Sequence, residues 1–207
     1  MSNKKTKSKQ KAYKVLLVGD TSVGKTSIIL QYTKHIHPKV YLSTIGLDFA
    51  TKEQKLENGE DVTLRIYDTA GQEKFSSIVK NLYNTAQGLI LVYDITSIKS
   101  FHNINNWLNY VKDNSNKEVK LLLVGNKSDL EDKREVEIIE ANNLAKEFDI
   151  ELIEISAKDN IGVDDVFIKI AKMLYYGIND TEVNDSLNIN NDEIIRNNPS
   201  SSCCYIF

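Results

Sequence analysis

Gly19-Asp20-Thr21-Ser22-Val23-Gly24-Lys25-Thr26 follows the apolar run Val15, Leu16, Leu17, Val18 and precedes an apolar helical pattern. It reads as G-x-x-x-x-G-K-[ST] between a strand and a helix, the context in which that string is a phosphate-binding loop. The two glycines let the backbone curl until several N–H groups face one anion. The first turn of the following helix adds its own unpaired N–H groups and the positive end of its dipole. Lys25 brings a full positive charge to the β- and γ-phosphates, and the Thr26 hydroxyl is placed to ligate magnesium. The loop alone specifies a nucleoside triphosphate and leaves base and chemistry open.

A chain of 207 residues suffices for one domain with a tail left over. Its 26 basic and 29 acidic residues give a net charge of -3, so no global basic field directs it to nucleic acid. A hydrophobic fraction of 41% is enough for a buried core. No apolar run approaches the roughly 20 residues that span a bilayer, and no signal-peptide pattern opens the chain. The cysteines, Cys203 and Cys204, stand side by side near the C-terminus. That arrangement excludes a disulfide framework or a zinc site and points to a reducing compartment.

Taken in order, residues 2–14 are polar and lysine-rich and read as a solvated arm; Ser2 in place of glycine excludes N-myristoylation. The expected organisation is a flexible arm over 1–12, a nucleotide-binding domain over 13–176 and an Asn-rich linker over 177–207. A buried strand ends at Val18, and a helix is predicted from Lys25 to Lys34. Pro38 ends any continuation, and His35 to Gly46 reads as a loop beside the phosphate site. Two extended runs, Phe49–Leu56 and Val62–Tyr67, flank Asn58-Gly59 and predict an antiparallel hairpin, with Val62, Leu64 and Ile66 on one face.

Beyond Asp68-Thr69-Ala70-Gly71-Gln72-Glu73 the pattern becomes repetitive. Strands at Leu89–Val92, Val119–Val124 and Leu152–Ile155 alternate with helices. The first helix carries Phe101, Ile104, Trp107, Leu108 and Val111 on one face, where Trp107 reads as a core residue. The second runs from about Val136 to Phe148, and the third carries Val163, Val166, Phe167, Ile170 and Leu174. The reading is α/β: a mostly parallel six-stranded sheet covered by helices on both faces, with one antiparallel edge hairpin. Each polar motif follows the carboxyl end of a strand, so loops far apart in sequence should meet in one crevice.

Asn126-Lys127-Ser128-Asp129 chooses the base. Guanine presents N1–H and N2–H₂ side by side, and one carboxylate, Asp129, accepts both; against adenine it is left unpaired. Asn126 can bond the other edge of the base, the Lys127 stem can lie over a ring face, and N–H groups around Ala157 in Ser156-Ala157-Lys158 can hold the guanine O6. Thr44 is suited to ligate magnesium and to give its N–H to the γ-phosphate. Asp68 can hold the metal, and the Gly71 N–H can reach the γ-phosphate. Loss of that phosphate removes these contacts, which makes both segments an order–disorder switch. Gln72 is placed to orient the attacking water, in a site whose hydrolysis stays slow until a partner supplies an arginine.

These segments resemble those of the Ras superfamily of small GTPases, over about Tyr13 to Tyr176. Within it, Ser43-Thr44-Ile45-Gly46-Leu47-Asp48-Phe49, Lys74-Phe75-Ser76-Ser77-Ile78 and Leu91-Val92-Tyr93-Asp94-Ile95-Thr96 are similar to Rab signature segments. The resemblance implies the P-loop small GTPase fold, GTP or GDP with Mg2+, and a nucleotide site that also takes in Ser27, His37 and Tyr41. It further implies vesicle-traffic control at the cytoplasmic face of an endomembrane, with cycling through cytosol. The partners it implies are an exchange factor, a GTPase-activating protein, a dissociation inhibitor, a prenylation escort and effectors. Three positions depart from the Rab pattern. Phe49 matches the first member of the effector-surface aromatic triad, but Tyr67 stands where tryptophan is usual and Leu82 where tyrosine is usual, and His37 replaces the aromatic that usually packs on guanine.

The chain ends Ser202-Cys203-Cys204-Tyr205-Ile206-Phe207. Its last four residues fit C-a-a-X with a geranylgeranyl-type terminus, and the adjacent cysteines resemble Rab double prenylation sites. One lipid binds a bilayer only marginally, and Arg196 is the single basic residue of an acidic tail, so lipids on both Cys203 and Cys204 are expected. The competing readings are another Ras-superfamily switch, a P-loop phosphotransferase, and a binder without turnover. A phosphotransferase needs an acceptor pocket and an arginine-bearing lid, for which the post-strand segments leave no obvious room. Gln72 argues against the binder.

Overall fold

Val15, Leu16, Leu17 and Val18 are all fully buried. A strand apolar on both faces has to be covered on both, which places it inside the sheet. In the computed structural model, which describes residues 11–37, 48–69, 77–116 and 118–177, this strand is β1 (Lys11–Val18). It lies between β3 (Asp61–Asp68) and β4 (Gly88–Asp94), parallel to both. Lys11 and Ala12, read from sequence as part of the basic leader, are already strand residues, in register with Val62 and Thr63. The sheet has six strands in the order β2-β3-β1-β4-β5-β6, with β2 (Asp48–Lys55) antiparallel at one edge. Strands β5 (Lys120–Asn126) and β6 (Glu151–Ile155) extend the parallel part. The predicted α/β sheet with one antiparallel edge hairpin is therefore what forms.

The hairpin turn differs in detail from a simple two-residue Asn-Gly turn. Gly59 alone takes positive φ (85°), the Gly59 N–H donates to Leu56 O (3.0 Å), and the Leu56 N–H donates to Glu60 O (2.8 Å). That is a tight turn centred on Glu57 and Asn58 and closed by a glycine bulge, which keeps the strand twist while sparing Asn58 a left-handed conformation. Val62, Leu64 and Ile66 are buried as their alternation requires.

Alternation along the strands divides the core. Leu16, Val18, Leu89, Leu91, Tyr93 and Leu123 face one side, where they join Tyr83 of α2 (Ser77–Thr85), Trp107 of α4 (Ile104–Asn114) and Leu144 of α5 (Ile138–Glu147). Val15, Leu17, Ile90 and Val92 face the other. There Tyr32 of α1 (Lys25–Lys34) stacks on Phe167 of the last helix, α6, over 163–177, at 3.8 Å between ring centroids. Lys52 ties β2 down on that side by donating to Tyr32 O (2.6 Å). The sheet lies within the unit Met1–Leu174; Tyr175 and Tyr176, at the end of α6, meet edge to face in the second unit.

The helix expected around Phe101 to Val111 is instead two, α3 (Ile98–His102) and α4, broken at Asn103. Phe101 and Val111 still share a core face across the break. Helix α5 starts two residues later than its apolar pattern, because the Val136 N–H donates to Ile95 O (3.0 Å).

Gly125 is held to glycine by packing alone: a Cβ there would stand 2.6 Å from the Tyr93 hydroxyl and 3.2 Å from Glu154 Cγ. Gly125→Ala should therefore lower unfolding free energy in urea by about 1–3 kcal/mol. Adding Tyr93→Phe, which removes the nearest atom, should recover part of that loss; full additivity of the two changes would show the contact to be irrelevant.

Candidate functional site

The chain enters the sheet at β1 and crosses from β3 to β4 on its other side, so the carboxyl ends of β1, β3 and β4 border a natural crevice. The loop leaving β1 occupies it. Gly19 takes φ 146° and a Cβ there would stand 2.2 Å from Val92 O; Gly24 takes φ 100° and its Cβ would stand 2.2 Å from Asn126 Nδ2. Both glycines are required by close approach as well as by backbone angle. Ser22 adopts φ 64°, Thr21 and Ser22 are exposed at the tip, and Val23 is buried beneath them. Helix α1 begins at Lys25 on Gly24 with no capping side chain, which leaves the N–H groups of its first turn, Ser27 included, for a ligand.

Lys25 is buried, and its ammonium donates to Gly19 O (2.9 Å) and Asp20 O (2.7 Å). Burial pulls its pKa down to about 8, against the opposing pull of the Asp68 and Asp20 carboxylates. An anion in the loop would relieve that cost directly.

Asp20 behaves differently from a simple ligand-side residue. Its carboxylate is turned to the helical layer: Asn103 Nδ2 donates to Oδ2 (2.6 Å) and the Trp107 indole donates to Oδ1 (3.0 Å). What Asp20 offers the crevice is its backbone, its carbonyl being held by Lys25. Trp107 is the core residue that its spacing predicted, and also a clamp on the loop. The break at Asn103 is what presents that amide at the head of α4. No short motif links these positions; the available clue is that a carboxylate inside a phosphate loop requires donors elsewhere.

Asp68 ends β3, is buried, and accepts from Thr26 Oγ1 (2.6 Å). Thr69, which sequence reasoning passed over, pins the exit of β3 to β1 through Oγ1 donating to Leu17 O (2.7 Å). A hydroxyl and a carboxylate brought together beside a phosphate loop form a hard oxygen donor set, the kind that suits Mg2+.

On the other side of the loop, β5 ends at Asn126, in register with Asp94 and Ile155. The Asn126 amide donates to Val23 O (2.8 Å) and accepts from the Ala157 N–H (3.1 Å), so it joins all three loops. One N–H and one lone pair remain on it for a base edge. Asp129, in the 3₁₀ turn Ser128–Lys133, accepts from Ser156 Oγ (2.7 Å) and Lys158 Nζ (3.2 Å). Burial alone would raise its pKa, but these two donors with its own backbone N–H outweigh it and hold the carboxyl below the usual range. Lys127 sits in the left-handed region (φ 73°) and its ammonium pairs with Asp94. Arg134 braces the turn, gripping Glu131 on one side (2.9 and 2.8 Å) and Glu154 on β6 on the other (2.8 and 2.7 Å).

His37 stands half-buried just past the left-handed C-cap of α1 at His35. Tyr41, Thr44, Gly71, Gln72, Cys203 and Cys204 lie outside the described residues. The structure thus gathers Lys25, Thr26 and Asp68 on one side and Asn126, Asp129, Ser156, Ala157 and Lys158 on the other. Sequence reasoning missed Thr69, Asn103, Arg134, and the second task of Trp107.

Trp107→Phe keeps most of the ring volume and removes the donor to Asp20. It should cost about 1 kcal/mol in urea unfolding, the penalty for an under-bonded, half-buried carboxylate. An unchanged midpoint would show the Asp20 contact to be dispensable.

Comparison with known proteins agrees with this architecture. Residues 14–176 match the model of the Ras family. Ras-related protein Rab-13 of Rattus norvegicus is 44% identical over 160 residues, 77% of this chain and 78% of the relative. GTP-binding protein yptV2 of Volvox carteri is 46% identical over 160 residues, 77% and 73% of the two chains. Ras-related protein Rab-8B of Bos taurus is 38% identical over 174 residues, 84% and 83%. The chain belongs to the Ras family of small GTPases and is Rab-like within it.

Proposed function

We propose that this GTPase is a Mg2+-dependent GTP/GDP switch with slow intrinsic hydrolysis that controls vesicle-mediated membrane traffic. The observation that carries the nucleotide part is the Asn126 amide, which locks the phosphate loop to the loop around Ala157 while Asp129 is fixed alongside by Ser156 and Lys158. Phosphate-binding and base-binding halves are thereby held at a set separation, as one nucleotide requires.

In this reading the backbone from Gly19 to Gly24, the first-turn N–H groups of Lys25, Thr26 and Ser27, and the Lys25 ammonium hold the phosphates. Thr26 and Asp68, with Thr44, would hold Mg2+, which would supply charge neutralisation to the phosphates. Asp129 takes the paired donors of guanine, the N–H of Ala157 serves O6, and Lys127 and His37 cover the ring faces. Tyr41 joins the site from the segment after α1. Gln72 orients the water for in-line attack, an activating partner supplies the arginine, and Thr44 and Gly71 report the γ-phosphate.

The membrane part rests on sequence. Among the described residues no helix is long and apolar enough to cross a membrane. Geranylgeranyl groups on Cys203 and Cys204 would anchor the chain to the cytoplasmic face of an endomembrane, with a prenylation escort and a dissociation inhibitor for cycling through cytosol. Phe49, exposed and ring to ring with Tyr67 (5.9 Å between centroids), offers effectors an apolar surface beside the sheet edge. An exchange factor completes the set.

Inosine triphosphate lacks only the 2-amino group, so it isolates what Asp129 reads. The protein should prefer GTP over ITP by about 10- to 100-fold, the worth of a hydrogen bond to a charged group. In Asp129→Ala that preference should fall to about twofold or less in competition binding. A preference that survives the substitution would overturn the base assignment.

Lys25 adds a pH signature. In the nucleotide-free protein its pKa of about 8 lies below the unfolded value of 10.5, so between these pH values the unfolded chain binds more protons and stability rises with pH. Below about pH 8 the full cost of the buried charge is present. Bound phosphates should return the pKa upward, so GDP binding at pH 9 should take up a proton, read by calorimetry in buffers of different ionisation enthalpy. Lys25→Arg should abolish the uptake.

A further inference from the structure

We propose that Asp94 is a positioning residue of the nucleotide site: it latches the Lys127 ammonium, fixes the lysine stem, and so sets how slowly bound nucleotide leaves. The inference rests on the reading of Lys127 as a base-covering residue and goes beyond it by assigning what holds that side chain.

Asp94 is the last residue of β4 and stands in register with Asn126, so the loops that leave β4 and β5 start level with one another. Its carboxylate is buried and half committed: Oδ1 accepts from the Thr96 N–H (2.9 Å) and the Thr96 hydroxyl (2.7 Å). Its backbone is fixed as well, the Asp94 N–H donating to Ser100 Oγ (3.0 Å) and Asp94 O accepting from the Ser97 N–H (3.0 Å). The remaining oxygen, Oδ2, meets the Lys127 ammonium, whose side chain is 31% exposed against 10% for Asp94. An immobile acceptor thus holds one end of a flexible side chain whose other end is set by a left-handed backbone at φ 73°.

Two consequences follow from charge and from freedom of motion. A cleft of about 250 Å³ joins Asp94 and Lys127 to Thr21, Ser22 and Val23 of the phosphate loop. A bare carboxylate on its wall would repel phosphates, and pairing with Lys127 removes that repulsion. A lysine stem free to explore its rotamers must be ordered when a base arrives, whereas a latched one is ordered in advance. The latch should therefore act on nucleotide release.

The test uses the full chain with Mg2+ and a fluorescent GDP, and compares release rates of the parent, Asp94→Ala, Lys127→Ala and the double variant. Asp94→Asn serves as a second single variant, because it keeps an acceptor for Thr96 and removes the charge facing Lys127. Both Asp94 variants should release nucleotide about 3- to 30-fold faster, the range expected for coupled neighbours. The double variant should match Lys127→Ala within about twofold, since Asp94 acts through that lysine. A purely structural Asp94 would multiply its effect onto that of Lys127→Ala, and this result overturns the latch. So does faster release in Lys127→Ala with none in either Asp94 variant. Unchanged release in Lys127→Ala overturns the assignment of Lys127 itself, and the latch with it.

Discussion

The site depends on one side-chain amide. Asn126 reaches from the end of β5 to Val23 O in the phosphate loop and to the Ala157 N–H beyond β6, and both bonds are buried. Neither loop can shift without leaving a buried carbonyl or N–H unpaired, at about 1–3 kcal/mol each. The contact is possible only because Gly24 has no side chain, since a Cβ there would stand 2.2 Å from Asn126 Nδ2. Gly24 therefore serves two ends: it takes the left-handed backbone that starts α1, and it makes room for the clamp.

A crevice built for phosphates contains four carboxylates, which at first sight is the wrong sign. Each is answered locally. Asp20 is turned onto Asn103 and Trp107, Asp68 accepts from Thr26, Asp94 pairs with Lys127, and Asp129 takes Ser156 and Lys158. A carboxylate withdrawn from water without such partners is costly. The result is a site whose positive features, the uncapped start of α1 and the Lys25 ammonium held by the Gly19 and Asp20 carbonyls, are not neutralised by a carboxylate hydrogen-bonded to them.

The strands, the edge hairpin and the placement of the loops were legible because each rests on a local signal, whereas the order of the strands in the sheet came only with the structure. Both-face burial marks a strand inside a parallel sheet, Asn58-Gly59 marks a turn, and helices of known period fill the gaps. The break at Asn103 was not legible, since Phe101 and Val111 keep one apolar face whether or not the helix is continuous. The Asp20–Trp107 and Asp94–Lys127 contacts were hidden for another reason. They join residues on different elements by single polar atoms, and a sequence pattern carries no record of where a side chain points. The phosphate-loop and Asn126–Asp129 motifs were readable because their spacing is itself the geometry.

The two halves of the site differ in what a ligand has to change. Around the base, the hydrogen bonds of Asn126, Asp129 and Ser156 close within the protein, so that pocket is organised ahead of its occupant. Such preorganisation makes base recognition indifferent to whether the nucleotide carries two phosphates or three. Around the phosphates, the Thr26 hydroxyl gives its proton to Asp68, and a hydroxyl bonded in that way can still offer a lone pair to a cation. A ligand shifts a conformational equilibrium only through contacts it makes in one state and not the other. The base side makes the same contacts with either nucleotide, so the distinction between GTP and GDP falls to groups that meet the γ-phosphate, the role proposed above for Thr44 and Gly71.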